Sequence, residues 1–272
     1  MGQPDHADRT RPTQASLLFL GTGTSHGVPM IGCECAVCRS DDPRDTRLRA
    51  SVYITLPDGT AVLIDTVPDF RMQALRHRLP RVDAVLYTHG HADHVLGLDD
   101  LRRYNHLQRA RIPCYGDAQT IGELRRMFGY MFDKTSPSGI GLPELDLFTV
   151  HGPFSVGRTE VIPVPLWHGR RLVLGYRFGS LAYLTDCSAI PDSSWDLLEG
   201  VDVVILDALR HRPHPTHFSV AEALDAVQRL GPSRAWFTHI CHDLPHVATT
   251  DGLPGRVELA YDGLSVTFDV TG

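Results

Sequence analysis

The sequence lacks three features that would place the protein in other classes. It has no unbroken apolar run of the roughly 18–20 residues that a membrane-spanning helix requires, and its mean hydropathy is −0.12. The polar segment 1–14 lacks the apolar core of a secretory signal. Positive charge is in deficit, because 26 Lys and Arg residues stand against 32 Asp and Glu residues, a net charge of −6. We therefore predict a cytoplasmic protein that binds neither a membrane nor a long nucleic acid.

The apolar content is sufficient for one substantial domain. The 272 residues are 42% hydrophobic, and a chain of this length can bury a large core. Residues 1–15 are polar and show no periodicity, so we predict a disordered tail there. Residues 16–272 contain no internal repeat and no linker, and we assign them to a single domain.

Short apolar segments alternate with a few helical patterns along this domain. Ser219 and Glu222 form a capping-box pattern at the start of one of the helices. Strands interleaved with a few helices indicate an α/β (α+β) fold in which helices cover two packed sheets. The predicted elements are strands at 17–20, 51–56, 61–65, 82–87, 159–166, 172–178, 181–185, 202–207, 234–238, 257–260 and 264–268, and helices at 68–79, 117–129 and 219–230.

A dense group of metal-ligand side chains follows the strand predicted at 82–87. Three imidazoles and one carboxylate lie within six residues, at His89, His91, Asp93 and His94. Imidazole and carboxylate groups suit Zn, Mn or Fe, and a loop at a strand end commonly presents functional groups. Four ligands on one short loop cannot easily converge on a single ion. The motif therefore predicts a pair of metal ions.

This HxHxDH pattern resembles the signature of the metallo-β-lactamase superfamily, in which later His, Asp and His ligands follow in order. His168, Asp186 and His239 each stand just past a predicted strand, as that arrangement requires. The resemblance implies a four-layer αββα sandwich in which Asp65 supports the ligand loop. The resemblance also implies two divalent cations, Mn or Zn, whose ligands form two clusters. The first cluster consists of His89, His91 and His168, the second consists of Asp93, His94 and His239, and Asp186 bridges them.

A cysteine-rich motif points to one branch of this superfamily. Cys33, Cys35 and Cys38 fall within six residues, and such crowding in a chain without an export signal indicates metal binding rather than disulfides. With GTGTSHGVP at 21–29, these cysteines resemble the phosphoribosyl 1,2-cyclic phosphodiesterase branch, which implies a structural zinc completed by His242. Three thiolates and one imidazole make a closed tetrahedral site, typical of structural zinc.

The same resemblance implies the catalytic chemistry. It places a substrate-contacting histidine at His217, with His211 and His214 as local competitors, and we take His217 and the ligand Asp93 as the catalytic side chains. A metal-bridged hydroxide would attack phosphorus while protonated His217 assists the leaving alkoxide. We therefore predict a phosphodiesterase for a small cyclic ribosyl or nucleotide phosphodiester. The resemblance also suggests a homodimer.

Other functions stay open at this point. An RNA 3′-processing nuclease of the tRNase Z type shares HxHxDH, but the cysteine motif, the net charge of −6 and the lack of a basic Gly/Pro-rich arm disfavour it. A thioester or lactone hydrolase would use the same two metals on carbon. A non-catalytic scaffold is disfavoured because every proposed ligand is present. Residues 100–145, which would shape the pocket, match no family pattern, so the exact substrate is not predicted.

Overall fold

The computed structural model describes residues 13–132 and 141–270. Its strands are β1 (Gln14–Gly21), β2 (Ser51–Thr55), β3 (Ala61–Ile64), β4 (Ala84–Leu86), β5 (Ile112–Gly116), β6 (Leu145–Thr149), β7 (Phe154–Val156), β8 (Thr159–His168), β9 (Arg171–Phe178), β10 (Leu181–Leu184), β11 (Val203–Asp207), β12 (Arg234–Thr238), β13 (Val257–Leu259) and β14 (Ser265–Asp269). Its α-helices are α1 (Phe70–His77), α2 (Ala92–Val95), α3 (Arg102–Gln108), α4 (Ala118–Met127), α5 (Gly129–Phe132), α6 (Asp192–Trp195), α7 (Val220–Leu230) and α8 (His246–Asp251). Short 3-10 helices span Pro43–Asp45, Leu98–Leu101 and Asp196–Leu198. Within these residues, no helix has the length and apolar character needed to cross a membrane.

The strands form two seven-stranded mixed sheets. Their orders are β14-β1-β2-β3-β4-β5-β6 and β13-β12-β11-β10-β9-β8-β7. In the first sheet β3 to β6 run parallel, and in the second β10 to β13 run parallel. The remaining pairs are antiparallel. Because the carboxyl ends of parallel strands meet at one edge, residues that follow these strands are brought together there.

Apolar side chains hold four layers together. The core between the sheets includes Phe19 and Ile54 from the first sheet and Tyr176 and Ile205 from the second. Helices α1, α3 and α4 cover the outer face of the first sheet, and α7 covers the outer face of the second. Their buried contacts include Phe70, Tyr104, Leu124, Ala223 and Val227. The αββα sandwich predicted from the sequence is confirmed.

Local signals set several element boundaries. The capping box at α7 is present, since Ser219 accepts from the Glu222 backbone N–H at 3.3 Å and its own N–H donates to Glu222 at 2.8 Å. Strand β1 begins at Gln14, which pairs with Asp269 of β14, so the predicted tail 1–15 is wrong for its last two residues. Residues 1–12 of that tail lie outside the described residues. The single-domain assignment of 16–272 stays a prediction.

The long loop between β1 and β2 is fixed by a buried arginine. Arg47 is fully buried, and it donates to the carbonyl oxygens of Cys241 at 2.9 Å and Leu244 at 2.7 Å. Its Nη2 lies 3.0 Å from Oδ1 of Asp45, which also accepts from the His246 backbone N–H at 2.8 Å. Arg47 therefore ties this loop to the segment that follows β12.

Replacing Arg47 with Met is expected to lower the free energy of unfolding by about 3–5 kcal/mol, because Asp45 then keeps a buried charge without its partner. Urea denaturation of the zinc-loaded protein measures the change. Arg44→Met is the matched control, since Arg44 pairs with Asp42 while 42% exposed and should contribute less than about 1 kcal/mol. A loss for Arg47→Met no larger than that of the control would contradict this prediction.

Candidate metal centre

Seven candidate ligands meet at the edge where the two sheets present their strand ends. From the first sheet come the residues that follow β4 and those of α2. From the second come the last residue of β8 and residues directly after β10 and β12. The side chains brought together are those of His89, His91, Asp93, His94, His168, Asp186 and His239.

Their ligand atoms fall into two groups that share a carboxylate. One group contains His89, His91 and His168, and the other contains Asp93, His94, Asp186 and His239, with ligand atoms within 4.8 Å of one another in each group. Asp186 Oδ2 lies 3.8 Å from His89 Nε2, whereas its Oδ1 lies 3.3 Å from His94 Nε2 and 3.4 Å from His239 Nε2. One carboxylate therefore faces both clusters.

Burial and unsatisfied nitrogen atoms show that these residues fit cations. Among the described residues, Nε2 of His89 and both ring nitrogens of His239 are buried and have no hydrogen-bond partner. Leaving a buried polar atom unpaired is costly, and a bound cation would satisfy such nitrogens. Imidazole and carboxylate together are the donor set of Zn, Mn and Fe sites. The clusters are therefore suited to divalent metal ions.

Outer contacts orient the imidazoles. Asp65, which is fully buried, lies with Oδ2 2.7 Å from His94 Nδ1. Thr88 donates its backbone N–H and its hydroxyl to the same carboxylate, both at 2.8 Å. On the other side of the site, His168 Nδ1 lies 2.8 Å from the Thr216 carbonyl oxygen. Binding the outer nitrogen fixes the ring so that Nε2 faces the cluster.

Backbone strain is concentrated at this site. Asp65, Asp186 and His239 have φ values of 64°, 57° and 58°, in the left-handed region that non-glycine residues rarely adopt. Each such residue costs on the order of 1–3 kcal/mol. The two other non-glycine residues with positive φ in the described chain, Arg78 and Arg109, are helix C-caps. The turn at each strand end thus directs a ligand or supporting side chain into the site.

The protonation states of five of the seven ligands favour ligation, whereas at His94 the carboxylates of Asp186, Asp93 and Asp65 outweigh burial and raise the pKa, so this imidazole must release its proton when a cation binds. Burial lowers the pKa values of His89, His91 and His168, which keeps these imidazoles neutral. Burial opposes ionisation of Asp93 and Asp186, but the neighbouring imidazoles hold the pKa values of both carboxyls well below their usual range. Neutral imidazoles and ionised carboxylates are the forms that bind cations.

His217 lies beside both clusters and is held by a second buried carboxylate. Its Nδ1 lies 2.6 Å from Asp207 Oδ2, which also accepts from the Cys187 backbone N–H at 2.8 Å. The ring stacks on His239 at 4.6 Å between centroids and lies 4.8 Å from the ring of His168. Burial disfavours the charged imidazole, but Asp207 outweighs it and raises the pKa of His217 to about 9. A protonated imidazole is therefore available at neutral pH.

Asp207 is a site residue that the sequence motifs do not reveal. It ends β11, an apolar strand, much as Asp65 and Asp186 stand just past β3 and β10. A lone Asp at the end of a buried strand is the signal that could have found it. Of the local competitors of His217, His211 is exposed, and His214 bonds to Thr216 of its own loop.

The three cysteines of the motif meet His242 in a separate site. The Sγ atoms of Cys33, Cys35 and Cys38 lie 3.1, 3.5 and 3.5 Å from Nδ1 of His242. A tetrahedral zinc with Zn–S bonds of about 2.3 Å and Zn–N bonds of about 2.0 Å separates such ligands by roughly 3.5 Å. All three cysteines are free thiols. The four side chains thus fit a closed zinc site.

A cavity of about 270 Å³ opens beside His217. The turn after β1, the loop after β11 and the segment after β12 form its wall. Arg210, Arg212 and His214 line it together with Asp243. Its volume lies just below the range of roughly 300–1,000 Å³ that is common for small-molecule pockets.

Comparison with known proteins establishes the family of this chain. A family profile described as "Beta-lactamase superfamily domain" matches residues 60–240. The structure described as "a New Diphosphatase from the PhnP Family" is 47% identical, with a TM-score of 0.89 over 95% of this chain and 98% of that one. The chain belongs to the PhnP family of the beta-lactamase superfamily. Together with the two clusters, this membership makes it a metallo-hydrolase that binds divalent metals.

Two further relatives show how far the likeness extends. An octanoyltransferase of Porphyromonas gingivalis is 37% identical over 94% of this PhnP-family chain, but the match covers 52% of that protein. The chain therefore spans about half the length of that relative, whose name describes the longer protein. Human tRNase Z, short form, is 18% identical with a TM-score of 0.64, over 92% of this chain and 98% of that one. That likeness shows a shared fold.

Proposed function

We propose that this metallo-hydrolase is a phosphodiesterase for a small cyclic ribosyl or nucleotide phosphodiester. Asp186 carries the proposal, because its two oxygens lie 3.3 Å from His94 Nε2 and 3.8 Å from His89 Nε2 and so face both clusters. Two divalent cations, when bound there, would activate a water and stabilise both the attacking and the leaving oxygen of an in-line displacement at phosphorus.

The ligand assignment follows the two clusters. Mixed His and Asp donors suit Mn or Zn, whereas three thiolates and an imidazole suit Zn. We assign the first catalytic cation to His89, His91 and His168, the second to Asp93, His94 and His239, both to Asp186, and a structural zinc to Cys33, Cys35, Cys38 and His242.

Two side chains have catalytic roles beyond ligation in this proposal. With Nδ1 of His217 held by Asp207, Nε2 is left to donate to a phosphoryl oxygen and to pass a proton to the leaving alkoxide. Asp93 is 17% exposed, more than Asp186 at 3%, so its carboxylate can accept a hydrogen bond from the attacking water and orient it.

The cavity beside His217 favours an anionic substrate. Arg210, Arg212 and His214 line its wall, and because Arg212 is paired with the Asp243 carboxylate at 3.1 Å, the net positive charge of this lining comes from Arg210. A phosphodiester is negatively charged at neutral pH, whereas thioesters and lactones are uncharged at the reacting carbonyl. The lining therefore supports phosphoester chemistry over those alternatives.

A second candidate is hydrolysis of a diphosphate bond. It is favoured by the 47% identity with a protein described as a diphosphatase. The leaving group would then be a phosphate, which needs less protonation than an alkoxide. Removal of His217 should accordingly slow cleavage of an alkyl phosphodiester more than cleavage of a diphosphate, and this difference separates the two candidates.

The experiment that tests the proposal pairs elemental analysis with hydrolysis of bis(p-nitrophenyl) phosphate, with and without added Mn. Close to three metal ions per chain with turnover would support it. One zinc per chain and no turnover after Mn addition would overturn it. Cyclic ribose phosphates, cyclic nucleotides and a nucleoside diphosphate then define the substrate, with a thioester and a lactone as comparison compounds.

We further propose that the protein is a homodimer in the cytoplasm and acts on a small substrate rather than a long nucleic acid. The net charge of −6 supports the second part, because a polyanion would be repelled. Light scattering after size-exclusion chromatography measures the oligomeric state. RNA binding at low salt tests the preference for a small substrate.

On a phosphodiester with an alkoxide leaving group, His217→Ala is expected to lower kcat about a hundredfold or more while leaving the metal content measured by elemental analysis intact, because the residue moves a proton and is not assigned as a ligand. Asp207→Asn should also lower kcat, but to a smaller degree, since it removes the carboxylate that orients the His217 ring and stabilises its protonated form. His211→Ala, an exposed site, is the control. Loss of metal from His217→Ala would make His217 a ligand instead.

A further inference from the structure

An ion pair between Glu123 of α4 and Arg171 of β9 lies against the ligand loop and has no role in the chemistry above. Arg171 Nη2 lies 2.7 Å from Glu123 Oε2, and Nη1 lies 3.2 Å from Oε1. The side chain of Arg171 is only 17% exposed and that of Glu123 only 15%. Gln119, one turn earlier in α4, also donates to Oε1 at 3.1 Å. Both oxygens of the Glu123 carboxylate are therefore held.

Gly90, the residue between His89 and His91, packs directly against this carboxylate. A Cβ atom at position 90 would overlap Oε2 of Glu123 and would lie 3.0 Å from the Glu123 Cβ. The carboxylate cannot swing aside, because Arg171 holds both of its oxygens. The contact therefore sets how closely the ligand loop approaches α4.

Strand β9 supports the ligand loop at three successive points. The first two are hydrogen bonds to backbone oxygens, and the third is the contact of the ion pair with Gly90. Tyr176 donates its hydroxyl to the Tyr87 carbonyl oxygen at 2.7 Å, and the Leu174 N–H donates to the Thr88 carbonyl oxygen at 2.9 Å. Arg171 acts through Glu123, whose carboxylate contacts Gly90. Arg171 is also the register partner of His168 in the β8–β9 pairing. The pair thus links both segments that supply the first cluster.

We propose that Glu123 and Arg171 form a positioning pair for the first cluster, which holds Gly90 in place so that His89 and His91 converge with His168 on one cation. This inference rests on the metal ligation proposed above but not on the identity of the substrate. The second cluster is built from α2 and the segments after β10 and β12, and among the described residues no hydrogen bond or ion pair joins Glu123 or Arg171 to its ligands.

Metal binding by the full chain tests the pair. Glu123→Gln, Arg171→Gln and the double variant are dialysed against graded free Mn²⁺, and elemental analysis counts the ions per chain. Each single variant is expected to bind one ion about ten- to a hundredfold more weakly, the usual effect of removing a residue that supports a ligand. The double variant should be no weaker than the singles, because the two residues act as one unit.

Arg111→Gln is the control, since it breaks an exposed ion pair with Asp146 on the first sheet and should leave metal binding unchanged. Unaltered Mn²⁺ affinity in both Glu123→Gln and Arg171→Gln would overturn the proposal. Equal weakening at both clusters would also overturn it. A wild-type chain that fails to bind two ions besides the thiolate zinc refutes the ligation itself, whereas full metal content without phosphodiester turnover refutes only the proposed substrate.

Substitution of Gly90 gives a second, independent readout. Gly90→Ala is expected to weaken one Mn²⁺ site at least about tenfold, because the added methyl group displaces the loop from the fixed Glu123 carboxylate. In a Glu123→Ala background, the same substitution should cause a much smaller additional loss, because the overlap with Oε2 is removed and only the contact with the Cβ of residue 123 remains. Equal losses in the two backgrounds would overturn the contact on which the positioning role depends.

Discussion

Asp186→Ala is expected to lower kcat by about a thousandfold or more and to release ions from both clusters. The carboxylate lies within 3.8 Å of imidazole nitrogens in both clusters, so its removal weakens two cation sites together. The several kcal/mol of charge stabilisation that such cations supply corresponds to a factor of about a thousand in rate. Turnover of bis(p-nitrophenyl) phosphate and elemental analysis on the same preparation measure both effects.

Two companion variants separate charge from backbone effects at this position. Asp186→Asn keeps the size of the side chain, and Asn tolerates the left-handed backbone at φ 57°, yet it removes the negative charge. It should lose metal as Asp186→Ala does while remaining as stable as the metal-free wild type. Asp192→Ala, at the exposed start of α6, is the control. Full metal content in Asp186→Asn would contradict the shared role of the carboxylate.

Cys35→Ala is expected to remove one zinc ion per chain and to destabilise the fold more than it impairs chemistry. Zinc bound by Cys33, Cys35, Cys38 and His242 closes a loop between residues 209 positions apart. Binding free energy at such a site contributes directly to folding. Because each kcal/mol lowers Tm by roughly 2–4 °C in a protein of this size, a loss of several kcal/mol should lower Tm by about 10 °C.

Cys241→Ala is the matched control for that experiment. Cys241 neighbours His242, but its Sγ only accepts from the Asp243 backbone N–H, at 3.3 Å. This variant should keep its zinc and most of its stability. A Cys35→Ala protein as thermostable as the wild type, with unchanged zinc content, would contradict the structural role of the site.

The sequence predicts which side chains meet at the strand ends because the signals are local. HxHxDH places its side chains within one short loop, and His168, Asp186 and His239 each end or follow an apolar strand that is recognisable by itself. The strands at 159–166, 172–178, 181–185 and 202–207 correspond closely to β8 through β11. Their parallel or antiparallel order then brings the ends together, as the resemblance to the family implies.

Features that depend on partners distant in the chain cannot be predicted from the sequence. Arg47 binds a carbonyl 194 residues away, and Arg171 pairs with Glu123 across 48 residues, so no local pattern marks either side chain. Strands β5, β6 and β7 are not among the elements predicted from the sequence, and β5 contains Pro113 and Gly116, two residues of low strand propensity. Pairing with β4 and β6 stabilises this strand despite its low strand propensity. The segment 100–145 is predicted to shape the pocket, but the cavity beside His217 is lined by residues of the segments 24–30, 209–217 and 241–243, and residues 133–140 lie outside the described residues.

The distance in sequence between the zinc ligands has a consequence for biosynthesis. Cys33, Cys35 and Cys38 leave the ribosome before their imidazole partner His242, which is 209 residues behind Cys33. At about 5–20 residues per second, translation leaves the three thiols without it for roughly 10–40 s. His239 and the last strand, which pairs with β1, are synthesised equally late. Both metal centres are therefore completed only after His239 and His242 have been synthesised, and the nascent thiols depend on a reducing compartment until then.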